Sequence, residues 1–503
     1  MFVRKKKNPS GVVSVQVIDK SAGRYKVMKT IGSSANQTEV EQLVSQGHQW
    51  IANHSGQLPL DLEDEVSHTE DLLERIDQIT VAGTHRLLGR IYDEIGFDQI
   101  PDSLFRTLVI SRVCFPASKR KTADYLNRYH FFDLDPQHIY RYMDRLYSTH
   151  KERVQQISFE HTRAVLGGTI HVVFYDVTTL YFEIDRDDDL RKAGYSKDGK
   201  HRHPQVVLGL LVSAGGYPLA YKIFEGNTYE GHTLIQVLDE FKTTYHLDDL
   251  IVVADSAMLS KANIESLGQA GYRYILGGRI KNESTQIKEK ILALRLRDGQ
   301  SGVVEKQQDT RLVVSYSAKR AAKDQLNRQK GLDRLRERIK SGILTKANLN
   351  KRGYNKFLSL TGDVRIELDE AKIAEDQRWD GLKGYQTNTD LSKQDVIDNY
   401  RQLWKIEQAF RITKHDLKIR PFFHRLPRRI HAHVCISFAA YKVYKELERQ
   451  LQVKKSDMSP EQAIDIAKSI YAIRVRTPNT NQPITKVLYL TEKQKELDKL
   501  FNL

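Results

Sequence analysis

The chain has 503 residues, 40% hydrophobic and 28% charged, enough apolar material for two to four domains at roughly 100–200 residues each. A net charge of +15 and a pI of about 9.4 suit a polyanionic partner, nucleic acid first, although a basic but otherwise ordinary protein has the same balance. Only two cysteines, Cys114 and Cys435, lie far apart outside any CxxC, which excludes a zinc knuckle or a disulfide framework and fits a reducing, cytoplasmic compartment; no apolar run approaches the ~18 residues of a membrane span.

The opening MFVRKKKNPSG is basic and no apolar segment follows it, so it reads as a solvated lead-in or a phosphate-touching arm, not a secretory signal. Residues 1–35 alternate and turn (GVVSVQVID, KSAG, RYKVMKTIG), which predicts a β-hairpin. Residues 36–160 read as mostly helical. DSLFRTLVISRVC, SKRKTADYLNRY and DPQHIYRYMDRLYSTHKERVQQI carry apolar residues at three- and four-residue spacing, with breaks at Pro116 and around Asp133–Pro136. Ser118, Lys119, Arg120, Lys121, Arg141 and Arg145 make the region basic. A compact three-helix unit of this kind can set one helix in a DNA groove, and a plain helical bundle has the same pattern.

Strands follow. TIHVVFYD, PQVVLGLLVSA and YPLAYKIFEG predict three, the last two joined at Gly215-Gly216, a pair suited to a tight turn with positive φ. A helix (GHTLIQVLDEFKTTY), a strand (LIVVAD), a helix (SKANIESLGQAG) and a strand (YRYILGGRI) come next. Three strands in hairpin order and then helix–strand–helix–strand predict a mixed sheet flanked by helices, the order of the ribonuclease-H-like fold. Residues 282–390 interrupt it with strands, a charged helix (AKRAAKDQLNRQKGLDRLRERIKSG) that follows DNA or simply faces solvent, and a β-rich return. A helix then opens near Ser392, KQDVIDNYRQLWKIEQAFRITKHDL. The apolar helix RIHAHVCISFAAYKVYKELERQL after it is too short and too broken by polar groups to span a bilayer. Residues 446–503 read as a polar helical tail. The expected fold class is α/β, with a ribonuclease-H-like core over 161–281 and 391–445, a β-rich insertion over 282–390, and a mostly helical N-terminal DNA-binding region.

Asp176 stands in VVFYDVTTLYFE, a strand otherwise built for a core, where an unpaired carboxylate costs several kcal/mol. Asp255 ends IVVAD. If these strands are neighbours, both carboxylates emerge at one edge of the sheet, and one of them keeps its proton unless a cation sits between them. Hard oxygen ligands select Mg²⁺, or Mn²⁺ in its place. Glu407, in YRQLWKIEQAFRITK, is the candidate third carboxylate. Tyr400, Glu407 and Lys414 stand seven residues apart, so on one helix they share a face with ~20° of drift per step, and Arg411 lies on that face too. Alone, that helix is equally an amphipathic one with an i,i+4 Glu–Arg pair. Asn227 and Glu230 in FEGNTYEGHTL line the site or simply make a turn. His201 and His203 lie in a basic loop.

In order and in wording, FYDVTTLYFE, VVADSAML, the insertion and NYRQLWKIEQAFRITK resemble insertion-sequence transposases of the DDE class, in the group with a Y-x2-R-x3-E-x6-K signature. GYSKDGKHRHPQVVLGLLV, GYPLAYKIFEGNTYEGHTL and LKIRPFFH are similar to that group too, and the resemblance covers about residues 160–445. It implies a catalytic, metal-holding triad of Asp176, Asp255 and Glu407, with Tyr400 and Lys414 as the signature Tyr and Lys. Asn227 and Glu230 would support the site as part of a G-N-x-x-E stretch. The signature Arg falls on Leu403, which leaves Arg401 or Arg411 to supply its charge. Trp379 matches an aromatic of the insertion that stacks on a flipped base, and a core Trp would fit the same position. The resemblance further implies two-metal phosphoryl transfer with Mg²⁺, cleavage at transposon ends and joining to target DNA. The partners would be double-stranded DNA, as terminal inverted repeats and target, and a second copy in a paired-end complex. No Walker A loop or dinucleotide fingerprint is present, so no nucleotide cofactor is expected. Two alternatives stay open: a ribonuclease-H-like nuclease without strand transfer, and a transposase-derived DNA-binding regulator. The second would have no need of the three carboxylates.

Overall fold

The computed structural model describes all residues except 22, 56–68, 183–186, 195–202, 230–232, 248, 259, 307–308, 345–349, 351–352, 362–364, 420–423 and 478–479. The chain forms two compact units, residues 1–79 with 473–486, and residues 80–472 with 487–503.

In the first unit β1 (Phe2–Lys7), β2 (Val13–Asp19) and β3 (Lys26–Ser34) make an antiparallel sheet, with Lys5 opposite Val15 and Asp19 opposite Lys26. The expected hairpin is therefore β2–β3, and the basic lead-in is a third strand. Backbone pairing needs no apolar side chains, so the exposed lysines of β1 did not betray it. Helix α1 (Gln37–Ser55) follows. Val15, Val17 and Ile18 are fully buried. Residues 36–160 are not all helical, since β4 (Ile76–Val81) forms a sheet with strands Tyr471–Arg476 and Pro483–Leu488. Those two strands also replace helix in the expected tail.

The second unit opens with α2 (Gly83–Ile95), α3 (Ser103–Cys114), α4 (Lys119–His130), α5 (Pro136–Thr149) and α6 (Lys151–Val165). Their starts are written in the sequence. Asp102 accepts from the Leu104 and Phe105 amides, Ser118 from Lys121, and Asp135 from Gln137 with Pro136 in the first turn. The apolar faces of α2–α6 bury Leu87, Ile91, Phe105, Leu108, Leu126, Ile139 and Leu146 in the main core.

Then come β5 (Val172–Tyr181), β6 (Lys192–Ala193), β7 (Pro204–Ser213), β8 (Pro218–Glu225), α7 (Thr233–Tyr245), β9 (Ile251–Ala254), α8 (Lys261–Gln269), β10 (Arg273–Gly278) and α9 (Thr285–Ala293). The β7–β8 turn has Gly216 at φ +77°, with Gly216 N–H donating to Ser213 O, as the Gly-Gly pair predicts. The segment read as an insertion supplies β11 (Ser301–Glu305), β12 (Arg311–Tyr316), α10 (Ala318–Lys340), β13 (Leu358–Thr361), β14 (Arg365–Leu368), α11 (Glu370–Gln377) and β15 (Leu382–Thr387). Helices α12 (Lys393–Arg401), α13 (Trp404–Arg411) and α14 (Pro427–Val453) complete the core.

The result is mixed α/β around one nine-stranded sheet, ordered β11-β12-β15-β10-β9-β5-β7-β6, with β8 also on β7. β5, β9 and β10 are parallel; β7 is antiparallel to β5 and to β8. The expected insertion is thus partly continuous with the main sheet, because β15 pairs with β10 and β12 pairs with β15. Every residue of β7 is buried, as a strand covered on both faces must be. One face packs on Val237, Leu238 and Leu267 of α7 and α8, the other on Val396, Ile397, Ile406 and the α14 core residues. Among the described residues no helix is long and apolar enough to cross a membrane.

One ion-pair group ties α5 to α14: Asp144 accepts from Arg428 and Arg429 at 2.8 Å each. The Arg429 hydrogen bond, joined by that of Arg428, outweighs burial and holds the Asp144 carboxyl down at about 2. A depressed acid stabilises the fold above its ordinary value of 3.8 and loses that contribution as pH falls toward 2. Asp144→Asn should cost about 1 kcal/mol at pH 7 after solvent screening, and less at pH 3. Urea unfolding at the two pH values checks this, and an equal cost at both would remove the charge from the account.

Candidate active site

The site grows from the register of two parallel strands. Tyr175 of β5 pairs with Ala254 of β9, so the next residues, Asp176 and Asp255, stand side by side. Side chains alternate along a strand. Val173, Tyr175 and Val177 pack beneath α7 and α8, and Phe174 and Leu180 pack on the opposite core. Asp176 therefore belongs to the Phe174 face. By the same alternation Asp255 continues the face of Ile251 and Val253, which is also that of α12 and α13. Both Asp residues are half-buried. Asp176 Oδ1 accepts from the Val177 amide and Asp255 Oδ1 from the Ala257 amide, each at 2.8 Å. Tyr175 is a packing residue, fully buried, with its hydroxyl donating to Thr233 at 2.6 Å.

Tyr400 and Glu407 reach this face from above. The helix expected to run unbroken from Ser392 is three pieces: α12, capped by Ser392 on the Asp395 amide, then α13, then a π-helical turn Ile412–Asp416. Between α12 and α13 the Gln402, Leu403, Lys405 and Ile406 amides bond three residues back. This tighter winding redirects the chain yet keeps Tyr400, Leu403, Ile406 and Phe410 buried. Tyr400, Glu407 and Lys414 thus lie on successive segments and not on one straight face.

The Tyr400 hydroxyl is lodged against the ends of β9 and β10. A Cβ at Gly277 would overlap its Oη and stand 3.0 Å from the Ser256 amide nitrogen. Burial pushes the phenol well above its ordinary range, and the charges of Asp255, Glu407 and Asp176, with Tyr385, push the same way. Three carboxylates from three elements therefore act on one phenol, which stays protonated and able to donate. Glu407 is exposed, and among the described residues it has no ion pair with Arg411. The donor set suits a hard divalent cation in chemistry, being carboxylate oxygens with two of them adjacent. Among the described residues, however, no three acidic, His or Cys side chains are drawn into a ready ligand cluster.

The other expected residues fall elsewhere. Trp379 is 5% exposed and packs with Ile280, Val304, Leu312 and Val314, so it is a core residue and not an open stacking platform. Asn227 sits in an exposed turn two residues past Glu225, which is level with Leu180 and so already ~13 Å along β5 from Asp176; it is not beside Asp255. Glu230 and His201 lie outside the described residues. Lys414 is half-buried, its Nζ 5.9 Å from the Phe410 ring centroid. Arg401 is exposed and paired with Asp398 at 3.1 Å. Lys119, expected on a DNA-facing helix, is 3% exposed, whereas Arg120, Lys121, Arg141 and Arg145 face solvent. Sequence reading missed Gly277, Lys383 and Tyr385. Their signal was position, two of them in the segment WDGLKGYQTN that returns to the sheet just before Tyr400.

A family model described as "Transposase DDE domain" matches residues 167–442. No curated protein matches the chain. Among solved structures it is similar to the piggyBac transposase synaptic complex with hairpin DNA, at 10% identity and a TM-score of 0.39, over 73% of this chain and 69% of that one. It is also similar to the Mos1 transposase paired-end complex with left transposon end, at 11% identity and a TM-score of 0.16, over 31% of this chain and 53% of that one.

Proposed function

Because the chain belongs to the DDE transposase family, we propose that it cleaves DNA at transposon ends and joins those ends to target DNA, with Asp176, Asp255 and Glu407 as its catalytic carboxylates. The observation that carries the reading is the β5–β9 register that sets Asp176 beside Asp255, with the Tyr400 hydroxyl lodged by Gly277 and the Ser256 amide next to them. Within the family, Tyr400, Glu407 and Lys414 support a reading as a member of the Y-x2-R-x3-E-x6-K signature group, with Leu403 at its Arg position. Three antiparallel strands followed by two parallel ones, with β5 central, support a ribonuclease-H-like core.

The three carboxylates would hold Mg²⁺, which when bound activates the attacking oxygen and stabilises the leaving one in an in-line displacement. The chain's own groups do the positioning. The Val177 and Ala257 amides hold Oδ1 of Asp176 and of Asp255 in place. Tyr400, kept protonated, is lodged at the ends of β9 and β10 and holds α12 against them. Double-stranded DNA is the substrate to which the net charge of +15 and the exposed Arg120, Lys121, Arg141 and Arg145 are suited. A homodimer on paired ends goes with this reading.

The test incubates the protein with the DNA that borders its own gene. Nicked ends and joined products should form with Mg²⁺ or Mn²⁺ and vanish with chelator or Ca²⁺, while the DNA stays bound in Ca²⁺. No product with either active metal would sink the transposase reading; cleavage without joining would favour the nuclease.

A further inference from the structure

We infer that Lys383 is the cation that meets the DNA phosphate at the Asp176–Asp255–Glu407 site, the position for which Leu403 supplies no charge; the inference rests on the reading just proposed. Leu403 is 7% exposed and belongs to the core. Its charged neighbours are committed elsewhere: Arg401 pairs with Asp398, and the Lys405 ammonium donates to the Ala214 carbonyl and to Gln402. Arg411 is exposed at the far end of α13, where it acts on Asp416.

Lys383 comes from a different direction. β15 pairs with β10, Tyr385 opposite Gly277 and Gly384 opposite Gly278, so Lys383 is carried just past the end of the strand next to β9. Its Nζ stands 4.5 Å from the Tyr400 ring centroid and 5.4 Å from that of Tyr385. The two rings are 5.0 Å apart. Aromatic faces hold an ammonium in place without neutralising it, unlike a carboxylate partner. Among the described residues Lys383 has no ion pair or hydrogen bond, although Glu407 acts on its charge. Burial lowers its proton affinity, with Arg320 and Arg401 adding to this and Glu407 opposing.

The side chain also lines a cavity of about 510 Å³. Of the other cations of that wall, Arg279 is exposed and Arg320 is loosely paired with Asp324 at 3.9 Å, and the remaining three are spent. Lys281 and Lys356 each reach Asp376 at 2.8 Å, and Arg328 holds Asp380 in a two-pronged pair. A half-buried ammonium positioned over the Tyr400 ring and within the field of Glu407 is free to meet a phosphodiester, and its partial desolvation strengthens its hold on an anion.

The experiment compares full-length Lys383→Met and Lys383→Arg with wild type on the DNA bordering the gene. Lys383→Met should cleave roughly 100-fold more slowly in Mg²⁺, and Lys383→Arg should recover to within about tenfold. In Ca²⁺, where nothing is cut, the slope of log affinity against log salt should flatten for Lys383→Met by about 0.9, one phosphate contact. Wild-type cleavage and slope in Lys383→Met would overturn the inference. So would a loss that Arg does not rescue and that leaves the slope unchanged, since Lys383 would then only pack between two tyrosines. An inert wild type sinks the parent reading, and the salt slope then decides the phosphate contact alone.

Discussion

Asp176→Asn, Asp255→Asn and Glu407→Gln should each lower DNA end cleavage by at least ~10³-fold while leaving binding of the same DNA within about threefold. Each change keeps shape and removes one charge from the set that acts on Tyr400. Because the three would work as a unit, double variants should fall scarcely further than single ones. Stability should move the other way. Asp176 and Asp255 are lateral neighbours on parallel strands, so neutralising either relieves repulsion in the metal-free protein and should raise unfolding stability by ~0.5–1 kcal/mol. Cleavage kinetics, gel shift and denaturant unfolding check the three parts. Full cleavage by any one variant would remove that residue from the site, and a marked destabilisation would mark it as structural.

Gly277→Ala is the second large effect, and it acts without touching a charged group. The added methyl would run into the Tyr400 hydroxyl and press on the Ser256 amide, the residue after Asp255. A ring wedged among Tyr385, Gly277 and the core cannot swing aside freely. Tyr400 should be displaced and α12 lifted, at a cost of ~1–3 kcal/mol in stability and roughly 10–100-fold in cleavage. Gly277→Ala combined with Tyr400→Phe removes the atom in the way and should regain most of the lost stability. If the double variant is no more stable than Gly277→Ala, the clash lies with Ser256 instead.

Much of this was legible in the chain itself. Asp176 and Asp255 announce themselves because a carboxylate at the heart or end of an apolar strand has few bland explanations, and strand order then makes them neighbours. The opening of α12 at Ser392 is local chemistry and read directly. What failed was whatever depends on remote partners. β1 is held by backbone bonds that its lysines do not advertise. Trp379 is buried by residues from Ile280 to Val314, about 65 to 100 positions upstream. The seven-residue spacing of Tyr400, Glu407 and Lys414 assumed uniform winding, which the three-back bonds around Leu403 and the π turn interrupt. Lys383 was invisible for the same reason, since only the pairing of β15 with β12 and β10 gives it its place.

That pairing has a consequence during synthesis. β10 leaves the ribosome as the bare edge of a growing sheet, and the strand that covers it, β15, is made about a hundred residues later. At ~5–20 residues per second the edge waits on the order of 5–20 s, an open template for other nascent chains. Glu407 is translated later still, so the chain can gather Asp176, Asp255 and Glu407 only after the strand that covers β10 has been made. Crowded translation of the gene should therefore yield aggregates that pair through this edge.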